Sequence, residues 1–342
     1  MSATSVLINQ INTATTTVVS SILSINFILG SVSLIFNIII FTRPKLRQQP
    51  CSIYFLTSSY LNLFVIYIVL PVRIVSSSFN VDLANYNLIV CKIEFFLFFA
   101  VRATACWAIV FACVDRYFHS SSHAKFRRLS SLKIAKITVI IGSIIVSISY
   151  SHMLVYYIIK SAANQYGNVI PLCTDQNGNY ATFIAFWHMM LYSLGPTISM
   201  FLFGCLTLYN LRTRRQIVPL GNETNRNIRR TDNQLLKMLA GQIFVIVIAR
   251  LPSSFGRIYI SLTQNIPKDT LRIAQENLAL KTLSAVAYLT HSTTFYLYTL
   301  SGTLFRKEFW KLIRKICHFK NNNRRTKTTR QTQQLEEDNN EN

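Results

Sequence analysis

The chain has 342 residues, of which 51% are hydrophobic and only 14% are charged. A soluble domain carries roughly 25% charged residues, so this composition argues against an ordinary soluble protein. The formal net charge of +22 does not indicate nucleic-acid binding, because the basic clusters are separated by apolar runs long enough to cross a bilayer, about 20 residues each. We therefore expect a membrane protein that binds no nucleic acid.

Apolar runs recur along the chain and predict an all-α membrane protein with a seven-transmembrane helix bundle, because backbone exposed to lipid must satisfy its own hydrogen bonds. The predicted spans are 18–42, 52–73, 91–118, 135–159, 181–210, 235–262 and 280–304. Pro196 and Pro252 are expected to kink the fifth and sixth spans. The predicted organisation is an N-terminal segment 1–17, the bundle 18–304, an amphipathic juxtamembrane helix 305–319 and a disordered polar tail 320–342.

The placement of the basic residues predicts the orientation of the bundle. The first 42 residues carry no charged side chain, and clusters of Lys and Arg follow the first, third, fifth and seventh spans. Such clusters concentrate in cytoplasmic connections, where they also contact anionic membrane lipid. We therefore expect a multi-pass membrane protein with an extracellular N-terminus and a cytoplasmic C-terminus.

Motifs for catalysis or for metal binding are absent from the sequence. It contains no nucleophile elbow, phosphate-binding loop or dinucleotide-binding glycine pattern. His152, His188 and His291 fall on different predicted spans and show no metal-ligand spacing. The sequence therefore predicts no enzyme, no cofactor and no metal.

An acid–base pair, Asp115-Arg116, ends the third span and is followed by Tyr117. A charge at the centre of a membrane helix costs about 2.5–3.5 kcal/mol, and the cost is lower at a helix end and for a paired charge. One interpretation is a solvated pair at the membrane surface, worth at most about 1 kcal/mol. The other is a functional pair on the inner face of the bundle.

Several landmarks together resemble the rhodopsin-like (class A) G-protein-coupled receptors, over about residues 20–319. The matching positions are Asn37, Cys91, Asp115-Arg116-Tyr117, Pro196, Pro252 and Tyr298. The resemblance implies a seven-helix bundle with a short amphipathic helix eight, an extracellular ligand and a heterotrimeric G protein as partner. It further implies that coupling to the G protein involves Asp115, Arg116, Tyr117, Asp232 and Tyr298.

The chain departs from the pattern of that family at several positions. Asn62 stands where the second span usually has an aspartate, and Thr294 and Phe295 replace the Asn-Pro pair of the seventh span. Tyr288 stands at the retinal-attachment position, so a light receptor is not expected. Because the seventh-span motif is degraded, a decoy receptor that does not signal stays an alternative.

The resemblance also implies roles for three residues whose alternatives stay open. Cys91 would form a disulfide with Cys173, the alternative being two buried thiols. Asp232 would hold Arg116 at the foot of the sixth span, the alternative being a solvated or helix-capping acid. Cys317 would be palmitoylated beside the membrane, the alternative being a free thiol.

Two arginines, Arg102 and Arg250, fall within predicted spans and by analogy face a central cavity. Guanidinium groups at such depth need partners. One hypothesis is a cavity for an acidic ligand, a peptide or a small chemosensory acid. The other is an internal network in which Glu94, His188, His291 and backbone carbonyls satisfy both arginines. The candidate cavity residues are Glu94, Arg102, His188, Arg250, Tyr288 and His291. An anion transporter or channel is the alternative function, with the arginines lining its pathway.

Overall fold

The computed structural model describes residues 3–79, 82–163, 169–176, 178–217, 223–264, 266–301, 306, 309–311 and 314. Within these residues, six helical segments are long and apolar enough to cross a membrane. They correspond to the first six predicted spans and confirm a helical, multi-pass membrane protein. The predicted tail 320–342 lies outside the described residues, as does most of the predicted helix 305–319, so both stay predictions.

The spans keep their predicted order and are numbered one to seven. Span one is Ala3–Phe41, span three is Leu88–Ser120 and span six is Glu223–Leu262. Span two joins Pro50–Phe64, the π-helical Val65–Val69 and Leu70–Phe79. Span four joins Leu132–Tyr150 and Met153–Tyr156, and span five joins Asn179–His188, the π-helical Met189–Leu194 and Gly195–Ile217. Span seven joins Thr270–Ala287, Leu289–Ser292 and Thr294–Ser301. Short helices at Pro44–Arg47, Leu83–Asn85 and Ala124–Leu129 lie in the connections.

Span one begins at Ala3, rather than at the predicted residue 18. The predicted N-terminal segment is rich in threonine, a residue that favours helix ends and turns. In the structure these hydroxyls bond back to the helix itself, since Thr13, Thr15 and Thr17 each donate to the carbonyl four residues earlier. Threonine is therefore accommodated inside this helix, and the helix extends almost to the N-terminus.

Span seven is interrupted and is not among the six long apolar segments of the described chain. Its first part carries three charged residues, Arg272, Glu276 and Lys281. Its second part breaks near Thr293, where the Thr293 hydroxyl donates to the Leu289 carbonyl at 2.6 Å. Hydroxyl groups that bond to nearby carbonyls compete with regular helix geometry. The break directs polar side chains of this span toward the interior of the bundle.

The π-helical stretch in span five accompanies Pro196. Proline has no N–H, so a carbonyl of the preceding turn loses its helical donor. The Trp107 indole Nε1 donates to the Leu191 carbonyl at 2.8 Å and satisfies this turn from outside the helix. A side chain at Gly195 would overlap the Met190 carbonyl oxygen, so glycine is required beside the proline.

A two-stranded hairpin covers one end of the bundle, called here the hairpin end. Strand β1, Tyr157–Ala163, pairs antiparallel with strand β2, Val169–Asp175. A disulfide joins Cys173 of β2 to Cys91 at the start of span three, with the Cα atoms 5.7 Å apart, which confirms the pairing that the resemblance implied. The opposite end of span three carries Arg116 and is called the Arg116 end.

Span three is the central helix and packs against spans two, four and five. Its inward positions are occupied by small buried side chains: Ala103, Ala105, Cys106, Ala108, Ala112 and Cys113. Small residues let membrane helices approach closely and so increase van der Waals contact between them. This contact matters because lipid tails are as apolar as the helix surfaces and supply no hydrophobic driving force for association. Gly142 of span four plays the same part, because a Cβ there would overlap the Phe111 ring of span three.

This contact predicts unequal effects of two otherwise identical substitutions. Gly142→Ala should lower the thermal unfolding temperature of the purified protein in detergent relative to Gly204→Ala, whose added Cβ meets nothing within 4 Å. Both changes gain the same helix propensity, so the difference, about 1–3 kcal/mol, reports the overlap alone. Equal unfolding temperatures for the two variants would contradict the close packing of spans three and four.

Candidate functional site

A cavity of about 590 Å³ lies between the spans at the hairpin end. Spans one, two, three, five, six and seven contribute to its wall, and residues of β2 form one side. Among the described lining residues, five are arginine or lysine: Arg73, Arg102, Arg250, Arg257 and Lys281. Asp175 is the acidic residue among them. Tyr157 of β1 also faces the cavity, and burial raises the pKa of its phenol above the usual value. The cavity wall therefore carries a strong excess of positive charge among side chains that are otherwise mostly neutral.

Arg102 lies in span three with its side chain 8% exposed. Its Nε donates to the Phe98 carbonyl at 2.7 Å, and its Nη1 lies 3.4 Å from the Tyr288 hydroxyl. The guanidinium carbon is 5.1 Å from the centre of the Phe99 ring. These neutral partners satisfy part of the guanidinium and leave its charge uncompensated.

Arg250 lies in span six, two residues before Pro252, and its side chain is 3% exposed. Its Nε donates to the Thr290 hydroxyl at 2.8 Å, and its guanidinium carbon lies 4.2 Å from the centre of the Tyr192 ring. Its buried Nη1 has no hydrogen-bond partner in the described part of the chain. A buried donor without an acceptor is costly, which marks this nitrogen as a candidate ligand contact.

Arg257 is a cavity residue that the sequence analysis missed. Its guanidinium carbon lies 5.4 Å from the centre of the Phe99 ring, the same ring that Arg102 contacts. It stands seven residues after Arg250, hence two helical turns along nearly the same face. That spacing was visible in the sequence and could have identified it.

Three guanidiniums therefore form an arginine row, defined as Arg257, Arg102 and Arg250. Neighbouring members share an aromatic ring: Arg257 and Arg102 share Phe99, and Arg102 and Arg250 share Tyr192. Cation–π contacts contribute about 0.5–2 kcal/mol each but do not neutralise charge. No carboxylate of the described residues lies within 4.0 Å of any member.

Glu94 does not pair with Arg102, as one hypothesis from the sequence required. The structure places its carboxylate 4.0 Å from Arg73 of span two, and Asp82 also lies 4.0 Å from Arg73. Residues eight apart on a helix lie about 12 Å apart along its axis, so Glu94 is too far up span three to reach Arg102. Glu94 and Asp82 therefore both lie beside Arg73 and not beside the arginine row.

The two candidate histidines are also engaged away from the arginine row. His188 Nδ1 lies 3.0 Å from the Tyr150 hydroxyl. His291 bonds through both ring nitrogens, with Nε2 2.9 Å from the Tyr192 hydroxyl and Nδ1 2.7 Å from Asn62 Oδ1. The internal-network hypothesis is therefore met only by hydroxyl groups, aromatic rings and one backbone carbonyl. Within the described residues, no group of three metal-ligating side chains occurs.

At the Arg116 end, Asp115 and Arg116 form a buried pair, and each residue is 4% exposed. Asp115 Oδ2 accepts from Arg116 Nη2 at 2.8 Å and from Nε at 3.2 Å. Asp115 Oδ1 accepts from the Ser130 hydroxyl at 2.8 Å. Such burial does not fit a solvated surface pair. The neighbouring Tyr117 ring contacts Phe203 of span five, with centroids 5.8 Å apart.

The remaining predicted site residues lie partly outside the described structure. Cys317 and the side chains of Asp232 and Tyr298 lie outside the described part of the structure. The replaced seventh-span positions both contact span one: the Thr294 hydroxyl accepts from Asn37 Nδ2 at 2.8 Å, and the Phe295 N–H donates to the Ser33 hydroxyl at 3.1 Å. These bonds hold spans one and seven together where the usual motif is lost.

The fold and its two ends define a polytopic helical membrane protein with a covered cavity at one end and a buried acid–base pair at the other. Residues 33–296 match the family described as 7 transmembrane receptor (rhodopsin family). The chain therefore belongs to the rhodopsin-like G-protein-coupled receptor family, whose members are receptors and not enzymes. No curated protein matches the chain.

The bond between Tyr192 and His291 gives a test of the buried polar contacts. Tyr192→Phe removes the hydrogen bond to the buried His291 Nε2, so we expect a loss of about 1–3 kcal/mol in stability. Tyr296→Phe is the matched control, because its hydroxyl makes one exposed bond of 3.3 Å to a helix carbonyl and should cost under about 0.5 kcal/mol. Thermal unfolding in detergent measures both, and equal values would contradict the network.

Proposed function

We propose that the protein is a plasma-membrane receptor that binds an acidic extracellular ligand in the cavity and activates a heterotrimeric G protein at the Arg116 end. The observation that carries the proposal is the arginine row, three guanidiniums facing one cavity without a carboxylate partner among the described residues. Family membership supports a signalling receptor in general, and the row supports the chemical class of the ligand.

An anionic ligand would offset the electrostatic cost of the arginine row. Like charges that share a poorly solvated site repel one another, and each buried charge loses hydration that only a counter-charge or good hydrogen bonds replace. A carboxylate or phosphate accepts two parallel bonds from one guanidinium. The cavity volume of about 590 Å³ falls within the range that small ligands occupy, about 300–1,000 Å³. A small acid or the acidic end of a peptide fits both constraints.

The orientation of the chain is part of the same proposal. The basic clusters after the odd-numbered spans favour a cytoplasmic Arg116 end. The disulfide at Cys91 and Cys173 supports the same orientation, because disulfides persist on the oxidising side of the membrane. The cavity would then face the outside, where an extracellular ligand arrives.

Polar contacts lead from the cavity into the interior of the bundle. Arg250 lies over the Tyr192 ring, whose hydroxyl bonds to His291, and His291 in turn bonds to Asn62 of span two. A ligand that draws the Arg250 guanidinium toward itself would change its contacts with Tyr192 and with Thr290. Such a differential contact is what allows a ligand to shift a population between two states of the bundle.

At the other end, Asp115 holds Arg116 in the resting arrangement. A G protein would offer Arg116 new partners once span six moves outward, and the pair would then separate. The same contact thus limits activity without ligand and supplies the coupling residue when ligand is bound.

The ligand class is tested by substituting the arginine row in cells that express promiscuous G proteins and are challenged with pooled small acids and peptides. Arg102→Gln, Arg250→Gln and Arg257→Gln should each raise the half-maximal ligand concentration about 10- to 100-fold, because one charged hydrogen bond contributes about 1.5–3 kcal/mol. Surface expression, measured on the same cells, should be unchanged.

Arg272→Gln is the matched control for these variants. Arg272 is an exposed arginine near the same end that already pairs with Glu276 at 3.0 Å, and it is not among the cavity-lining residues. Its substitution should leave the response within about twofold of wild type. A response that survives all three substitutions in the row would exclude the acidic-ligand proposal, and loss of surface expression would assign the row to folding.

Coupling is tested with purified G proteins and the purified receptor. Asp115→Asn should raise ligand-independent GDP–GTP exchange severalfold, because it removes the negative charge that faces Arg116 and so weakens the buried pair. Arg116→Gln should abolish exchange. Unchanged exchange in both variants would point instead to a receptor that does not signal.

A further inference from the structure

The loop between spans three and four places a serine directly after two arginines. The short helix Ala124–Leu129 contains Arg127 and Arg128 in its last turn and is followed by Ser130. Both arginines and Leu129 are exposed, whereas Ser130 is half-buried. The backbone is extended or irregular at Ser130 and Ser131, with ψ values of 78° and 154°, so only the last turn of this six-residue helix has to unwind for the segment to bind another protein in extended form.

Ser130 is also bonded to the acid–base pair at the end of span three. Its hydroxyl donates to Asp115 Oδ1 at 2.8 Å, while Arg116 Nη2 donates to Asp115 Oδ2 at 2.8 Å. The serine and the arginine therefore occupy the two oxygens of one carboxylate. Whatever happens to this hydroxyl changes the environment of Arg116.

We propose that Ser130 is a phosphorylation site for a protein kinase that recognises arginines three and two residues before the acceptor serine. Exposed guanidiniums at Arg127 and Arg128 suit carboxylates in the substrate groove of such a kinase. Ser131 does not fit this recognition pattern, because Arg128 lies three residues before it but Leu129 lies two residues before it. The Ser131 hydroxyl also caps span four by accepting from the Ile134 N–H at 3.4 Å. The proposal goes beyond the receptor function.

The transfer uses MgATP as the phosphoryl donor. A bond forms between Ser130 Oγ and the γ-phosphorus, and the bond from the γ-phosphorus to the β,γ-bridging oxygen breaks, so that ADP leaves with that electron pair. The hydroxyl proton passes to the catalytic carboxylate of the kinase. The hydroxyl must first leave Asp115, so the kinase acts on the conformation in which that bond is open.

Phosphorylation would in turn weaken the Asp115–Arg116 pair. A phosphoserine carries about −1.5 to −2 charges at pH 7, has no proton to donate to Asp115 and repels its carboxylate. Its oxygens offer Arg116 an alternative anionic partner next to the one it has. The modification is therefore linked to the same two-state element that the G protein reads.

The test uses the purified full-length chain in detergent, where both ends of the bundle are open to enzyme and the result does not depend on orientation. The chain is incubated with MgATP and the catalytic domain of a kinase that selects arginine at these two positions, and phosphate is located by fragmentation mass spectrometry. We expect phosphate on Ser130 in the wild type and in the control Ser131→Ala. We expect at least a roughly tenfold lower initial rate in the double variant Arg127→Gln/Arg128→Gln, because each charged pair lost weakens substrate recognition.

Asp115→Asn tests the link to the buried pair. It replaces the charged acceptor of the Ser130 hydroxyl by a neutral one, so the hydroxyl is released more often and the initial rate at Ser130 should rise roughly tenfold. Phosphate on Ser131 in place of Ser130, or no phosphate on Ser130 in both the wild type and Asp115→Asn, would overturn the site. Equal rates in these two chains would overturn its link to Asp115.

Discussion

Buried charge without an equal counter-charge is the constraint on which the rest of this bundle depends. Hydrocarbon offers no partner to an ion, so each charged side chain inside the helices must be paired, hydrogen-bonded or exposed to a water-filled space. At the Arg116 end, Asp115 supplies a buried counter-charge. At the hairpin end, the partners of the arginine row among the described residues are aromatic rings, hydroxyl groups and a carbonyl, and the excess positive charge is concentrated around a cavity.

The two ends are joined by side chains rather than by a continuous polar channel. The contacts from Arg250 through Tyr192 and His291 reach Asn62, and the apolar cluster that contains Ile109, Val110 and Phe295 fills the space between that network and the Asp115–Arg116 pair. A packed core changes between discrete arrangements and does not deform smoothly. This gives the bundle a physical basis for two states.

The sequence predicted the parts of the fold that local chemistry determines. Backbone exposed to lipid must be helical, so six spans were predicted, and the majority of their ends lie within a few residues of the predicted positions. The pairing of Cys91 with Cys173 was also predicted correctly. Span one was predicted too short because the back-bonding of Thr13 to its own helix is not visible in composition. The network hypothesis placed Glu94 among the partners of the two arginines, but the packing of span two against span three brings it beside Arg73 instead, which only the tertiary structure shows.

The candidate site was likewise predicted from the sequence only in part. The depth of Arg102 and Arg250 followed from their position in apolar runs, whereas the ring that they share, Tyr192, comes from a different span, span five. Arg257 was missed although its spacing from Arg250 was regular, since a basic residue near a helix end is commonly solvated. Its contact with Phe99 could be recognised only once the helices were assembled.

The hairpin that covers the cavity is fastened to span three by a covalent cross-link. The disulfide and the bond from the Cys173 N–H to Asn85 Oδ1, 2.9 Å long, both tie β2 to the start of span three and the loop before it. Span three is also the most buried of the long helices in the described chain, so the cover is attached to the central helix of the bundle. If the outer helices move between the two states proposed above, the hairpin is expected to stay with span three, and a ligand would enter between the hairpin and those helices.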